Sequence, residues 1–540
     1  MRMAGEWYLR EALAQIPRIL TLQDRDPSSP SYGSFDRNFW HYRTQDFPSG
    51  MYQELALPLA QVFAYDLPGN RWYREPRLRE LALAGVRCAA RDAHPDGSCD
   101  DYFPYERALG ATAFAAAAHA EVLRLLDARD DDLVEFCRRR ARWLVGCQES
   151  GRLSNHQALV ALAAARAAAI TGDEGLRAAA RHRLDLCLSW QDEEGWFAEY
   201  EGADPGYQSL TIAFLAALRA HLAAPALEAA LARAVRFAAH FLHPDGSYGG
   251  EIGSRNTCQV LPSGWERLAG ELPEARYLAD GWLAGAVAGR RGYADDDRIF
   301  CHWVHDFIEA GRSRDAREAR DAGGAPPWQP PPGRTSFPGA GLHVVREGDL
   351  HLVVATHKGG VFRAYRGTRL LANDTGPVVL LDDGRRLVTH MVDPKSACRW
   401  EERAVAISGS LHLGRRRLPT PVKQVIFRLL NLGIGRFAPD LFRRLLQRLL
   451  ITGKAPQPIT FHRRLDWSDP AGLEVVDVLE AAPAIRGRVA RLFLSTDATS
   501  IYVATSNLWQ EACRRVWEER PEAVRALRER GHYEIRRRVG

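Results

Sequence analysis

Residues 152–160 read RLSNHQALV, a polar cluster running into an apolar stretch. The pattern returns at a fixed interval. FPYERALGATAF holds Tyr105, DPGYQSLTIAFL holds Tyr207 and RNTCQVLPSGWE holds Cys258; with His156 these positions stand 51 residues apart. Gln follows at 157, 208 and 259, with Glu106 in the first copy, and GMYQELALPLAQ adds an earlier copy at Tyr52-Gln53. A fixed period of this size marks a repeat architecture. Each period has room for two helices and their connections, and such units stack in a line or around a ring. In an (α/α) toroid the inner helices start at one rim, so positions 52, 105, 156, 207 and 258 would face one cleft.

The surrounding sequence agrees with that reading. HPDGSCDD begins at His94, QDEEGWFAEYEG at Gln191 and HPDGSYGGE at His243, each ahead of a helical stretch. Runs such as ALGATAFAAAAHAEVLRLL and ALVALAAARAAAI, separated by Gly, Asp and Pro, predict helices over residues 1–320. Residues 321–340 are dense in Pro and Gly and read as a linker. Beyond them the period becomes that of strands with Gly, Asn and Asp turns, which predicts an antiparallel β-sandwich over 341–540. The expected fold is multidomain α and β: an N-terminal incomplete (α/α) toroid, then a C-terminal β-sandwich.

One segment interrupts the strands. Residues 414–454 hold ten Lys/Arg and one acid, Asp440, and Phe442, Leu445, Leu446, Leu449 and Leu450 share one helical face. A basic amphipathic helix of this kind fits peripheral contact with an anionic membrane, a packed insertion with a solvated basic face, or a grip on an acidic polymer.

Composition narrows the function classes. The chain has 540 residues, 46% hydrophobic and 26% charged, with a net charge of +5. That modest charge argues against a nucleic-acid partner. Nine cysteines without a CxxC pair read as free thiols in a reducing compartment. MRMAGEWYLREALAQIPRIL lacks the apolar core of a signal peptide, so the chain as it stands reads as cytoplasmic, or periplasmic if a leader was removed. Oligomeric state leaves no signal in the sequence.

Ser154 and Gln157 form S-x-x-Q, the pattern of a capping box, which would place Asn155 and His156 in the first helical turn. The positive helix end disfavours imidazolium there, and a neutral His156 suits a general base or a hydrogen-bond donor. Tyr207 holds the equivalent rim position in DPGYQSLT. Arg255 and Asn256 lie on the Gly-rich loop GGEIGSRNT, and Arg pairs well with a carboxylate. Trp196, with Trp190 and Trp265, could stack on sugar rings or pack in the core.

A helical toroid followed by a sandwich, with these residues in this order, resembles the heparinase II/III-like polysaccharide lyases, a grouping that includes alginate lyases. Those enzymes carry an Asn-His pair at the start of a toroid helix, a Tyr on a later helix and a His from the first sandwich strands. Asn155-His156, Tyr207 and His357 in ATHKGGVF fall in that order at similar gaps. The resemblance implies β-elimination on an anionic, uronate-containing polysaccharide. Asn155 would help neutralise the uronate carboxylate, and Tyr207 would be base or acid with His156 or His357 as its partner. Arg255, Asn256, Tyr105, Gln208, Trp196 and Glu251 would bind substrate. Many relatives carry a second His or an Asp after the sandwich His, some for a structural zinc; this chain has Lys358-Gly359-Gly360 there. Asp374 in LLANDTG matches an Asp-x-Gly turn without a full ligand set, so no metal and no cofactor is expected.

Two other classes compete. A glycoside hydrolase on the same toroid needs two carboxyl groups across the bond, and Asp96, Asp100, Asp101, Glu199 and Glu251 are available in the turn loops, where Asp and Gly also serve turn geometry. A non-catalytic acidic-glycan-binding protein of polysaccharide assembly would use the same cleft and the basic insertion without turnover.

Overall fold

The structure, a computed structural model, describes residues 3–147, 151–291, 297–319, 328–414, 419–439, 441–442, 456–470, 472–496 and 517–540. The N-terminal region is helical, and the sequence sorts its helices into two kinds. Helices Leu109–Leu125, Ser154–Thr171 and Pro205–Leu218 are buried on nearly every side. Helix Glu174–Leu188 buries only a stripe formed by Leu176, Ala180, Arg183, Leu184 and Cys187, and Asp131–Gly146 and Pro225–Ala239 behave alike. A helix that is apolar all round belongs inside, and one with a single stripe belongs outside it. Leu109–Leu125 packs on Ser154–Thr171, which packs on Pro205–Leu218, then Ser263–Leu268, then Asp297–Glu318; the last packs back on Met51–Leu55 and Ala56–Ala64.

The repeat register is only partly the register of the helices. Helices start at Ser154 and Pro205, so His156 and Tyr207 share the first turn. Tyr105 and Cys258 precede their helices, which start at Leu109 and Ser263. Tyr105 adopts the left-handed conformation, at φ 61°.

The expected capping box at Ser154 does not form. Leu153 occupies the N-cap position and Ser154 is already helical. The Ser154 hydroxyl donates to the Ala198 carbonyl at 2.7 Å, and Gln157 Oε1 accepts from Arg183 at 2.8 Å. A bridge between Leu153 and Glu199 brings the next loop against this helix start and takes the hydroxyl away from its own backbone.

Two antiparallel sheets follow. β1 (Gly333–Phe337), β2 (Leu342–Glu347), β3 (Leu350–Ala355), β4 (Val361–Arg366) and β5 (Arg369–Asp374) pair in that order. The second sheet comprises β6 (Gly376–Leu381), β7 (Arg386–Val388), β8 (Ala397–Trp400), β9 (Ala404–Gly414), β10 (Pro456–Asp466), β11 (Leu473–Ala481), β12 (Val489–Ser495), β13 (Trp517–Glu519) and β14 (His532–Val539). Its order among the described residues is β13-β12-β6-β7-β9-β10-β11-β14, with β8 on β9. Alternation places the first sheet between two cores. Val344 and Val353 pack with the helices, whereas their neighbours Val345 and Leu352 pack with Val405, Ile407 and Leu465 of the second sheet. Period-two patterning lets one sheet bury both faces.

Two expectations fall wholly or partly on other ground. Residues 321–327 of the linker stretch, and residues 415–418, 440 and 443–454 of the basic insertion, lie outside the described residues. Asp374, the acid of the Asp-x-Gly turn, belongs to a buried ion cluster instead of a ligand set. Arg463 reaches Asp374 at 2.8 Å and grips Asp477 with two bonds at 2.6 and 2.9 Å, and Arg537 reaches both acids at 2.5 Å. Arg463 is fully buried, and these cations hold the Asp374 carboxyl down at about 2. Removing one partner of a buried pair leaves an uncompensated charge. Arg463→Ala is therefore expected to lower unfolding free energy by about 3–5 kcal/mol, read from urea denaturation followed by tryptophan fluorescence; a loss below about 1 kcal/mol would contradict the account.

Candidate active site

The loops that follow each outer helix meet the starts of the inner helices at one end of the helical region. Asp204 caps Pro205–Leu218: its Oδ1 accepts from the Tyr207 N–H at 3.0 Å. Its Oδ2 accepts from the Arg255 N–H at 2.8 Å, so one carboxylate holds both the helix carrying Tyr207 and the loop carrying Arg255. Asn155 Nδ2 donates to Glu199 Oε1 at 2.6 Å. Asn155 and Glu199 are buried; His156, Tyr200, Tyr207 and Arg255 are half-buried. The Arg255 guanidinium lies over the Tyr200 ring, 4.2 Å from its centre. His156 rests on Gly110, where a Cβ would stand 3.1 Å from its ring, so glycine makes room for the imidazole.

Electrostatics gives this cluster its character. Burial lifts the Glu199 carboxyl from the ordinary 4.5 to about 8, against the Asn155 hydrogen bond and the nearby His156 and with the help of Asp204. Glu199 is thus a neutral acid at pH 7. Burial, and then the Glu199 carboxyl, push the Tyr207 phenol above its usual value, and Arg255 opposes them. Tyr207 therefore holds its proton and can give it away.

The loop of Arg255 is clamped from the sheet side. Lys358, just before β4, is buried and donates from Nζ to the Glu251 carbonyl at 2.6 Å, the Gly253 carbonyl at 2.5 Å and Asn256 Oδ1. Burial lowers the ammonium to about 8, with Asp204 and Glu251 acting the other way. Gly249 at φ 65° and Gly250 at φ 100° make the turns that bring these carbonyls together.

Of the residues expected from sequence, the structure brings Asn155, His156, Tyr207 and Arg255 into one neighbourhood, with Asn256 and Glu251 behind them at the clamp. Others serve different ends. Gln208 spends its amide on the Phe197 N–H and on the Gly195 and Ala234 carbonyls, so it braces a turn. Trp196 donates to Glu194 at 3.0 Å, and the charges acting on His357 come from that same Glu194 and from Asp393. His357 packs against Gly341, where a Cβ would stand 2.2 Å from its ring. Tyr105 sits beside His94 and beneath Arg436. Trp265 is fully buried in the helical core.

Sequence reasoning missed Tyr200, Asp204 and Lys358 as members of the site. Asp204-Pro205 ahead of an apolar run is a helix-start signal, and Lys358 stands where the related pattern breaks; both could have been followed. Three of the five acids considered for hydrolysis are committed to other bonds. Asp96 binds Ser98, Asp100 accepts from the Tyr105 and Arg107 N–H groups, and Asp101 accepts from Ser49.

No protein-family model matches the chain, and no curated protein matches it in sequence. Its fold is similar to those of solved polysaccharide lyases. Paenibacillus xanthan lyase superposes with a TM-score of 0.53 at 12% identity, over 91% of this chain and 46% of the lyase. Chondroitin AC lyase of Streptomyces coelicolor A3, solved with chondroitin sulphate, gives 0.53 at 12% identity, over 91% of this chain and 68% of that one. Heparinase III gives 0.50 at 11% identity, over 84% and 66%. The chain spans about half the length of the xanthan lyase. At these identities the shared property is the fold: a helical N-terminal region followed by antiparallel sheets.

The raised Glu199 carboxyl has a sign that can be checked. Between 4.5 and about 8 the unfolded chain loses this proton and the native chain keeps it, so the group's contribution to stability falls as pH rises through that window. Glu199→Gln, which stays neutral and keeps an acceptor for Asn155, is expected to gain melting temperature over the parent progressively from pH 4.5 to 8, with no further gain above. A pH-independent difference would contradict a neutral Glu199.

Proposed function

We propose that the protein is a polysaccharide lyase of the heparinase II/III-like kind, an incomplete (α/α) toroid with a β-sandwich that cleaves a uronate-containing anionic polysaccharide by β-elimination. The observation that carries this reading is the Asn155–Glu199 pair, a buried amide on a neutral acid, beside Tyr207 and Arg255. Elimination begins with removal of the C5 proton, α to a carboxylate. That carbon acid is too weak unless the carboxylate is paired or hydrogen-bonded, so that charge developing on it is stabilised. Arg255 supplies the cation. Asn155 supplies the amide: its Nδ2 gives one hydrogen to Glu199 Oε1 and has a second to offer the carboxylate. A neutral Glu199 adds no competing negative charge and can donate its own proton to that amide or to the substrate.

His156 then takes the C5 proton, the C–H electron pair becomes the C4=C5 double bond, and the C4–O bond breaks. The departing oxygen takes its proton from Tyr207, whose raised phenol is protonated at neutral pH. A hydrolase would instead need two free carboxyl groups flanking the bond, whereas Asp96 and Asp100 are spent on local turns, Asp101 accepts from the distant Ser49 hydroxyl and Glu199 holds Asn155.

The test is a panel of soluble uronate polysaccharides incubated with the purified protein and followed in the ultraviolet, where the unsaturated uronyl end absorbs. At least one polymer is expected to give that chromophore, and Tyr207→Phe to lower its kcat by about 10²–10⁴. New reducing ends without the chromophore, or turnover unchanged in Tyr207→Phe, would overturn the reading. Binding without turnover of any polymer would favour the glycan-binding alternative.

A further inference from the structure

Thirteen large hydrophobic residues are exposed among the described residues, and nine of them lie between Val422 and Leu441. This concentration is not a scatter of ordinary surface apolar groups. Helix Pro421–Leu430 is capped by the Thr420 side chain and continues into Asn431–Gly435. Val422, Val425, Ile426 and Leu429 recur at helical spacing and so form one stripe. That stripe faces away from the protein: Val422 is 68% exposed and Leu429 63%, and Phe437 just beyond is 81% exposed.

The opposite side is tethered. Phe427 meets Phe103 edge-on at 5.2 Å, Phe442 packs on both, and Arg428 pairs with Asp46. Arg436 lies over Tyr105. The segment belongs in sequence to the sheet domain, yet its anchors are on the helical domain beside the rim. An amphipathic helix is here fixed with its apolar face outward.

Charge decides what covers that face. Residues 414–454 carry ten Lys/Arg and one acid. A symmetric pairing of two copies would set this cationic segment against itself. A bilayer with anionic headgroups offers an apolar interior to the stripe and negative charge to the flanks. Among the described residues no helix is long and apolar enough to cross a membrane. We propose that residues 421–439 with Leu441 form a docking face for an anionic lipid bilayer, which seats the rim at Phe103 and Tyr105 next to the membrane.

The experiment is co-sedimentation of the full chain with vesicles of phosphatidylcholine, with and without phosphatidylglycerol. Binding is expected to the anionic vesicles and is expected to weaken as salt rises. Ile426→Asp with Leu429→Asp, both at exposed positions, is expected to reduce the bound fraction about tenfold or more, and Lys423→Glu to weaken anionic binding without shifting the melting temperature. No sedimentation with either vesicle, or equal salt-insensitive binding to both, would overturn the proposal. So would a dimer in vesicle-free solution that the double substitution dissociates. None of these readings depends on turnover, so failure here is distinct from failure of the lyase assignment.

Discussion

One buried ammonium group reaches from the sheet domain into the loop that carries Arg255. Lys358 leaves the sheet domain and ends, fully buried, among the Glu251 and Gly253 carbonyls and Asn256. Burying an unpaired cation costs far more than most single contacts return, so this arrangement persists only because the acceptors are held in place. The loop that holds them also carries Arg255, whose N–H is bound by Asp204, and Asp204 caps the helix of Tyr207. A displacement of the sheet domain would therefore reach Arg255 and Tyr207 through three linked interactions. The first sheet reinforces the seam, because alternate residues of β2 and β3 enter the helical core.

Within the seam, the chemistry rests on which groups are charged. Arg255 is a cation next to a phenol and a neutral carboxylic acid, with the Asp204 carboxylate turned to its backbone N–H. Burial produces this by raising both Glu199 and Tyr207, and the same burial makes the Asn155–Glu199 bond strong. The His156 imidazole sits on Gly110, with glycine chosen by contact and not by flexibility.

Much of this was legible in the sequence where the cause is local. The period of 51 residues located the helices of His156 and Tyr207, the all-round apolar character of Ala/Leu runs marked them as inner, and strand alternation marked the region beyond 341. What the sequence hid has distant causes. Ser154 matches a capping box, yet its hydroxyl is taken by Ala198 from the next repeat. Gln208 and Gln157 share one repeat position, but one braces a turn and the other binds Arg183. Tyr105 keeps the spacing and loses the helix, because its own N–H is taken by Asp100 and its backbone turns left-handed. Asp374 does make its turn, accepting from the Gly376 N–H at 2.9 Å, but Arg463 and Arg537, far along the chain, also close on it. His357 kept the expected order but is acted on by Glu194 and Asp393.

The central claim is that the cleft beside Lys358 breaks a uronate glycosidic bond by elimination, without adding water. The direct measurement is the mass of the two fragments released from a defined uronate oligosaccharide by the purified protein. The account predicts fragment masses that sum to the mass of the substrate, with the loss of water carried by the new non-reducing end. Fragments that sum to the substrate plus one water would contradict it and assign the cleft to hydrolysis.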